Sequence, residues 1–172
     1  MSVSFIRIDD RMIHGQTCTR WAREYPCDGL IAVNDKAAKS DVLKAAYKAA
    51  SGKKTFVWTV EDFKKKAQKV LDSDTRYFLI TKDSIDMRKI LVEQGFKCGI
   101  TKVIVGPCND REGSTTLGNN QSITQEEAQA LANKEIAESL TSNLLNMQQI
   151  EVQGRFNDAL RENKDAKIFL TP

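Results

Sequence analysis

Histidine is almost missing from this 172-residue chain: one residue, His14, carries all the imidazole chemistry it has. A single imidazole rules out histidine-rich metal sites, and neither H-E-x-x-H nor G-x-S-x-G occurs, so zinc-enzyme and serine-hydrolase readings lose their best signals. The cysteines, Cys18, Cys27, Cys98 and Cys108, never pair as C-x-x-C. Neither a zinc knuckle nor a thioredoxin-like motif is indicated, and reduced, mostly buried thiols are expected. No metal and no cofactor is expected. Phosphate-binding glycine loops are absent in both the G-x-x-x-x-G-K-[ST] and the kinase form, so phosphate chemistry here would not draw on a bound nucleotide.

Long apolar runs are lacking as well. The first eight residues hold no signal-peptide core, and no stretch approaches a membrane span, so a cytoplasmic protein is expected. Charge of one sign is scarce in blocks. The net charge is +3, and only Lys64-Lys65-Lys66 form a basic run. With Phe63 as its one aromatic neighbour, that run reads as a solvated helix face, and no nucleic-acid partner is expected.

What is present is a globular composition, 41% hydrophobic and 28% charged. The length suits one domain over residues 1–172. Short β-rich runs alternate with segments of helical period, which gives an α/β class: an open, mostly parallel sheet with helices on both faces. Strands are expected at Val3 to Ile8, Leu30 to Val33, Thr55 to Val60, Tyr77 to Thr81, Lys102 to Val105, Ile150 to Gln153 and Ile168 to Leu170. Helices are expected near Gly15 to Arg23, Asp41 to Ala50, Glu61 to Leu71, Ser84 to Gln94 and Gln125 to Leu145. Ser40 is a candidate N-cap, Thr124 with Glu127 a capping box, and Gly95 a helix stop. Residues Gly106 to Gln121, rich in turn formers, read as an exposed loop. Trp21 and Trp58 read as packing residues.

In an open parallel sheet, ligands gather outside the carboxyl ends of the strands, where loops meet helix N-termini. The first such loop reads Asp9-Asp10-Arg11-Met12-Ile13-His14-Gly15-Gln16, with Arg7 just before it. Imidazole is largely neutral at pH 7, its reference pKa being ~6.5, so a histidine can attack phosphorus without a separate strong base. Arg7 and Arg11 offer forked donors for phosphate oxygens, and the amides of Gly15 and Gln16 suit the same group. Asp9 either orients an arginine or fixes the imidazole tautomer. Against this stands the plain alternative of a helix cap within an exposed salt-bridge cluster. Asn34-Asp35, Thr81-Lys82-Asp83 and Gly106-Pro107-Cys108-Asn109 end other strands and read as turn or cap chemistry.

The string Arg7-Ile8-Asp9-Asp10-Arg11-Met12-Ile13-His14-Gly15-Gln16, followed by Thr19-Arg20-Trp21, resembles the signature of the mannose/fructose/sorbose family of phosphotransferase system IIB proteins. Val33-Asn34-Asp35 and Leu91-Val92-Glu93-Gln94-Gly95 resemble the family more loosely. The chain departs from the family's pattern at Val105-Gly106-Pro107, at Ile104, between Asn133 and Asn146, and at Gln153-Gly154-Arg155.

The resemblance implies a relay in which His14 takes a phosphoryl group on Nδ1 from the phosphohistidine of a IIA protein. It then passes the group to a sugar delivered by the membrane subunits IIC and IID, with which the chain would associate peripherally. Arg11 would compensate the phosphate charge, with Arg7 and Asp9 in support and the Gly15 and Gln16 amides on its oxygens, and no metal would take part. The loop from Gly106 to Gln121 is a candidate rim for docking. Two alternatives stay open: a phosphorylation-responsive regulatory module, and a small α/β enzyme using His14 as general acid/base with Asp9. Oligomeric state is open too, a homo-oligomer included.

Overall fold

The computed structural model describes residues 2–15, 17–100, 103–118 and 121–131. The strands expected after residue 149, the helix beyond Leu131 and Gln16 lie outside them. Five strands form one parallel sheet: β1 (Val3–Ile8), β2 (Gly29–Val33), β3 (Lys54–Trp58), β4 (Tyr77–Thr81) and β5 (Val103–Val105), in the order β3-β2-β4-β1-β5. Every residue of β2 and β4 is buried, as strands covered on both faces must be.

Alternation along the strands sorts the core into two layers. Phe5, Leu30, Ala32, Phe78, Ile80 and Ile104 face one way, where they meet Trp21 and Ala22. Ile6, Ile8, Ile31, Val33, Leu79, Val103 and Val105 face the other way, against Phe63, Val70, Met87 and Ile90. The strand order explains this split. The chain moves outward from β1 through β2 to β3, then reverses through β4 to β5, so right-handed crossovers place the earlier helices on one face and the later ones on the opposite face. β1 and β4 are neighbours whose connections leave to opposite faces, so the topological switch point, where open sheets place their ligands, falls between their carboxyl ends.

The helices begin where local chemistry allows. They are α1 (Ala22–Glu24), α2 (Asp35–Ala38), α3 (Asp41–Ser51), α4 (Val60–Leu71), α5 (Ser84–Arg88) and α6 (Gln125–Leu131). Ser40 Oγ accepts from Leu43 N at 3.3 Å, as the sequence predicts. The Thr124 box forms in full: Glu127 N donates to Thr124 Oγ1 and Thr124 N donates to Glu127 Oε2. Gly95 takes φ +63° directly after Gln94, the left-handed stop that glycine tolerates. In α4, Phe63 and Val70 are buried two turns apart while Lys64 and Lys65 are exposed, so the basic run is a solvated face. Complete burial of a side chain such as Phe63 stabilises by about 1.5–3 kcal/mol.

Several expectations need correction. The first helix is not a regular run from Gly15: residues Thr17–Trp21 form a π-helical turn leading into α1. Lys89–Glu93 is likewise π-helical after α5. The third strand stops at Trp58 because Thr59 caps α4, its side chain accepting from Asp62 N at 3.0 Å. Asn34-Asp35 is cap chemistry, as expected, but the helix it opens, the short α2, was not expected. The segment from Gly106 to Gln121 is not all loop. It contains β6 (Ser114–Gly118), which pairs antiparallel with β7 (Gln121–Thr124). This hairpin is tied to the segment after β5 by Ser122 N donating to the Cys108 carbonyl at 2.9 Å.

Candidate functional site

Strand β1 delivers Arg7 to the carboxyl edge of the sheet, and the chain then turns sharply. Asp9 N donates to Thr81 O, at the end of β4, at 3.0 Å, and Met12 N closes a turn on Asp9 O at 2.9 Å. Met12 has φ +53°, a left-handed conformation uncommon for a residue with a Cβ, and its side chain is completely buried. Ile13 is buried beside the same layer. Thr17 Oγ1 donates to the Met12 carbonyl at 3.0 Å, tying the start of the π-helical turn to the loop. Between these anchors the chain brings Arg11, His14 and Gly15 to the surface.

Asp9 is the hub. Its carboxylate is 0% exposed, beside an Arg7 side chain at 4%, a His14 ring at 21% and an Arg11 side chain at 42%. Oδ2 accepts from Arg7 Nε at 3.1 Å and Arg7 Nη2 at 3.0 Å, a forked pair that fixes both groups. His14 Nε2 lies 3.4 Å from the same oxygen, somewhat longer than a tight N–H···O bond. Oδ1 accepts from the Arg11 amide at 3.1 Å and lies 3.7 Å from Arg11 Nε. One buried carboxylate thus collects two arginines and the histidine.

Arg7 is held from its other side by an aromatic face. Its guanidinium carbon sits 4.6 Å from the centroid of the Trp21 ring, and Arg20 lies 5.0 Å from the same centroid. Burial pulls the Arg7 guanidinium below its ordinary pKa, while the Asp9 charge and hydrogen bond act the other way. Arg7 Nη1 is buried and has no hydrogen-bond partner among the described residues.

The segment after β5 closes the site from below. A Cβ on Gly106 would stand 2.2 Å from Arg7 Nη2 and 2.9 Å from Asp9 Oδ2, so only glycine leaves room for the ion pair. Cys108, half-buried behind it, has its thiol pushed up to about 12, first by burial and then by the charges of Asp10 and Glu127. The wall continues through Arg111, which pairs with Glu127 and donates Nη1–H to the Asn109 carbonyl at 2.8 Å.

Of the residues singled out from sequence, the structure brings together Arg7, Asp9, Arg11 and His14, with Gly15 exposed at the following turn. Thr81 and Asp83 do serve as cap and turn: Asp83 Oδ1 accepts from Asp86 N at 2.8 Å, and Thr81 Oγ1 donates to the Asp83 carbonyl. Sequence reasoning gave no role to Asp10 within the loop, and read Gly106 and Asn109 only as turn or cap chemistry on a candidate docking rim, whereas both contact the loop. The signal was present in the glycine after β5, but what it must clear lies a hundred positions earlier in the chain.

A family model described as the PTS system sorbose subfamily IIB component matches residues 3–157. The chain is similar to the PTS system mannose-specific EIIAB component of Escherichia coli (strain K12), with 33% identity over 132 residues, 76% of this chain and 40% of that protein. It is also similar to a probable phosphotransferase enzyme IIB component of Streptococcus pyogenes serotype M6, with 33% identity over 93 residues, 53% of this chain and 57% of that one. It therefore spans well under two thirds of either relative. Among solved structures, the IIBSor domain of the sorbose permease from Klebsiella pneumoniae aligns with a TM-score of 0.68 and 26% identity, over 76% of this chain and 80% of that chain. The structure of manxB from Thermoanaerobacter tengcongensis gives the same TM-score and identity, over 80% and 82%. The family model covers most of the chain and the solved structures share its parallel-sheet fold, and the chain belongs to the sorbose-subfamily IIB components of the sugar phosphotransferase system.

Proposed function

We propose that this IIB component is a phosphocarrier in which His14 accepts a phosphoryl group on Nδ1 from a phosphohistidine of IIA and passes it to a sugar. The carrying observation is the arrangement at Asp9. With Nε2 turned toward a buried carboxylate, the proton belongs on Nε2 and the lone pair on Nδ1, the nitrogen left for attack. In the first step the Nδ1–P bond forms as the donor's N–P bond breaks and its electron pair returns to the donor ring. In the second, the sugar hydroxyl oxygen forms the O–P bond as the Nδ1–P bond breaks, the electron pair returns to Nδ1, and the hydroxyl proton passes to water.

The phosphorylated ring carries positive charge, which the Asp9 carboxylate stabilises across the 3.4 Å contact. Arg11, with its side chain partly exposed, compensates the phosphoryl oxygens directly. Arg7 adds positive charge from beneath, through the fork that its Nε and Nη2 make on Asp9. The amide of Gly15 is to hold a phosphoryl oxygen, with the Gln16 amide, outside the described residues, expected from the sequence to serve the same group. Such transfer between two imidazoles depends on position and fixed charge, which this loop supplies.

IIA as the donor is supported by the E. coli relative, whose name joins A and B functions in one component. We take residues 1–172 as one IIB domain working at the cytoplasmic face beside IIC and IID. Among the described residues no helix is long and apolar enough to cross a membrane. The test is transfer of labelled phosphate from the general phosphotransferase proteins and a matching IIA to wild-type and His14→Gln protein. The expected label is acid-labile, alkali-stable and lost in the variant. A label that survives His14→Gln, or none on wild type with an active donor, would overturn the reading.

A further inference from the structure

Three backbone-linked hydrogen bonds fasten the segment after β5 to the loop that carries His14. Gly106 N donates to Ile8 O at 2.7 Å and Asp10 N donates to Pro107 O at 3.2 Å, which prolongs the parallel pairing of β1 and β5 past the ends of both strands. Then Asn109 N donates to Asp10 Oδ2 at 2.7 Å, the shortest of the three beside that of Gly106 and the only one made by a side chain of the loop. Asp10 is the first residue inside the turn that Met12 closes on Asp9.

We propose that Asp10 is a positioning residue: through the Asn109 amide it clamps the 9–12 turn, and so holds the Asp9 carboxylate against His14 Nε2. Two further observations bear on this. Asp10 makes no ion pair among those described, and its Oδ1 is buried without a partner among the described residues. A buried carboxylate oxygen left unbonded costs stability, so the residue is poorly explained as a packing or solubility feature. Gly106, at the other end of the clamp, lies so close under Arg7 and Asp9 that its backbone serves as the floor of the ion pair. The clamp therefore grips the hub from two directions: Gly106 under the carboxylate, and Asn109 on its neighbour in sequence.

The inference rests on the phosphocarrier reading for its consequence, and its test reads the imidazole directly so that the two fail separately. His14 is the sole histidine, so the ring nitrogens of uniformly 15N-labelled protein give one pair of imidazole signals. Wild type is expected to show the Nε2–H tautomer. Asp10→Ala is expected to shift both signals toward the averaged values of mixed tautomers, and to slow phosphoryl transfer about tenfold, the scale of losing the alignment of a reacting group. Asp10→Asn keeps an oxygen that accepts from the Asn109 amide, and is expected to restore both the wild-type signals and the rate.

Unchanged imidazole signals in a folded Asp10→Ala protein would overturn the proposal. So would an Asp10→Asn variant that behaves like Asp10→Ala, because then charge and not the hydrogen bond would matter. If the signals shift while neither wild type nor variant accepts phosphate, the clamp stands and the phosphocarrier reading falls.

Discussion

Oδ2 of Asp9 lies 3.0 Å from Arg7 Nη2 and 3.4 Å from His14 Nε2, so one fully buried oxygen joins the core-side arginine to the surface imidazole. Removing that oxygen should cost twice. Asp9→Ala leaves the Arg7 guanidinium buried without its counter-charge, and a loss of about 3–5 kcal/mol in unfolding free energy is expected. Urea melts measure it. A loss below ~1 kcal/mol would mean that Arg7 finds water or another partner.

Gly106 admits no side chain. The Cβ of Gly106→Ala would fall 2.2 Å from Arg7 Nη2, and the guanidinium, stacked on Trp21, has little room to retreat. A destabilisation of about 1–3 kcal/mol is expected, the range for overpacking a closed site. Because Trp21 lies against Arg7, its fluorescence should change with the substitution. An unshifted melt and an unchanged spectrum would show that the ion pair moves aside freely.

The thiol of Cys108 gives a pH dependence with a defined sign. Its folded-state value is raised from the ordinary 9.0 to about 12. Between those values the unfolded chain has released the proton and the folded one retains it, so the unfolded state binds fewer protons and stability falls as pH rises through this window. Cys108→Ala should flatten that fall above pH 9.0, toward about 12, as read from unfolding free energies at each pH. Identical slopes in both proteins would count against it.

The capping box at α6 predicts a modest effect. Thr124→Ala removes the acceptor for Glu127 N at 3.2 Å and should cost about 1 kcal/mol. Replacing Glu127 by Ala should cost more, since Glu127 also holds Thr124 N and pairs with Arg111. Equal losses in the two variants, by urea denaturation, would show that the Arg111 pair contributes nothing.

The strands were legible because both faces are covered: Tyr77–Thr81 is apolar nearly throughout, and the expected limits coincide with those observed. Helix starts were legible wherever one side chain can cap, as at Ser40 and Thr124. The β6–β7 hairpin was not, because Ser114-Thr115-Thr116 has the polarity of a turn and its pairing depends on a partner strand rather than on burial. The π-helical turns were hidden since a widened turn leaves the apolar spacing almost unchanged. At the site, the loop string pointed to His14, Arg11 and Asp9. The meeting of Asp10 with Asn109 spans 99 positions, and no local pattern encodes such a contact.

Met12 gives the loop a further property. Its left-handed backbone and wholly buried thioether act as a peg driven into the core between the two turns that flank it. Only short arcs on either side of the peg reach solvent, so the imidazole is borne on a stiff knuckle. A protein that docks there has little chain to freeze on contact, and the entropy of ordering is settled during folding instead of during each encounter. On the phosphocarrier reading proposed above, an encounter at His14 can then be both weak and well aligned.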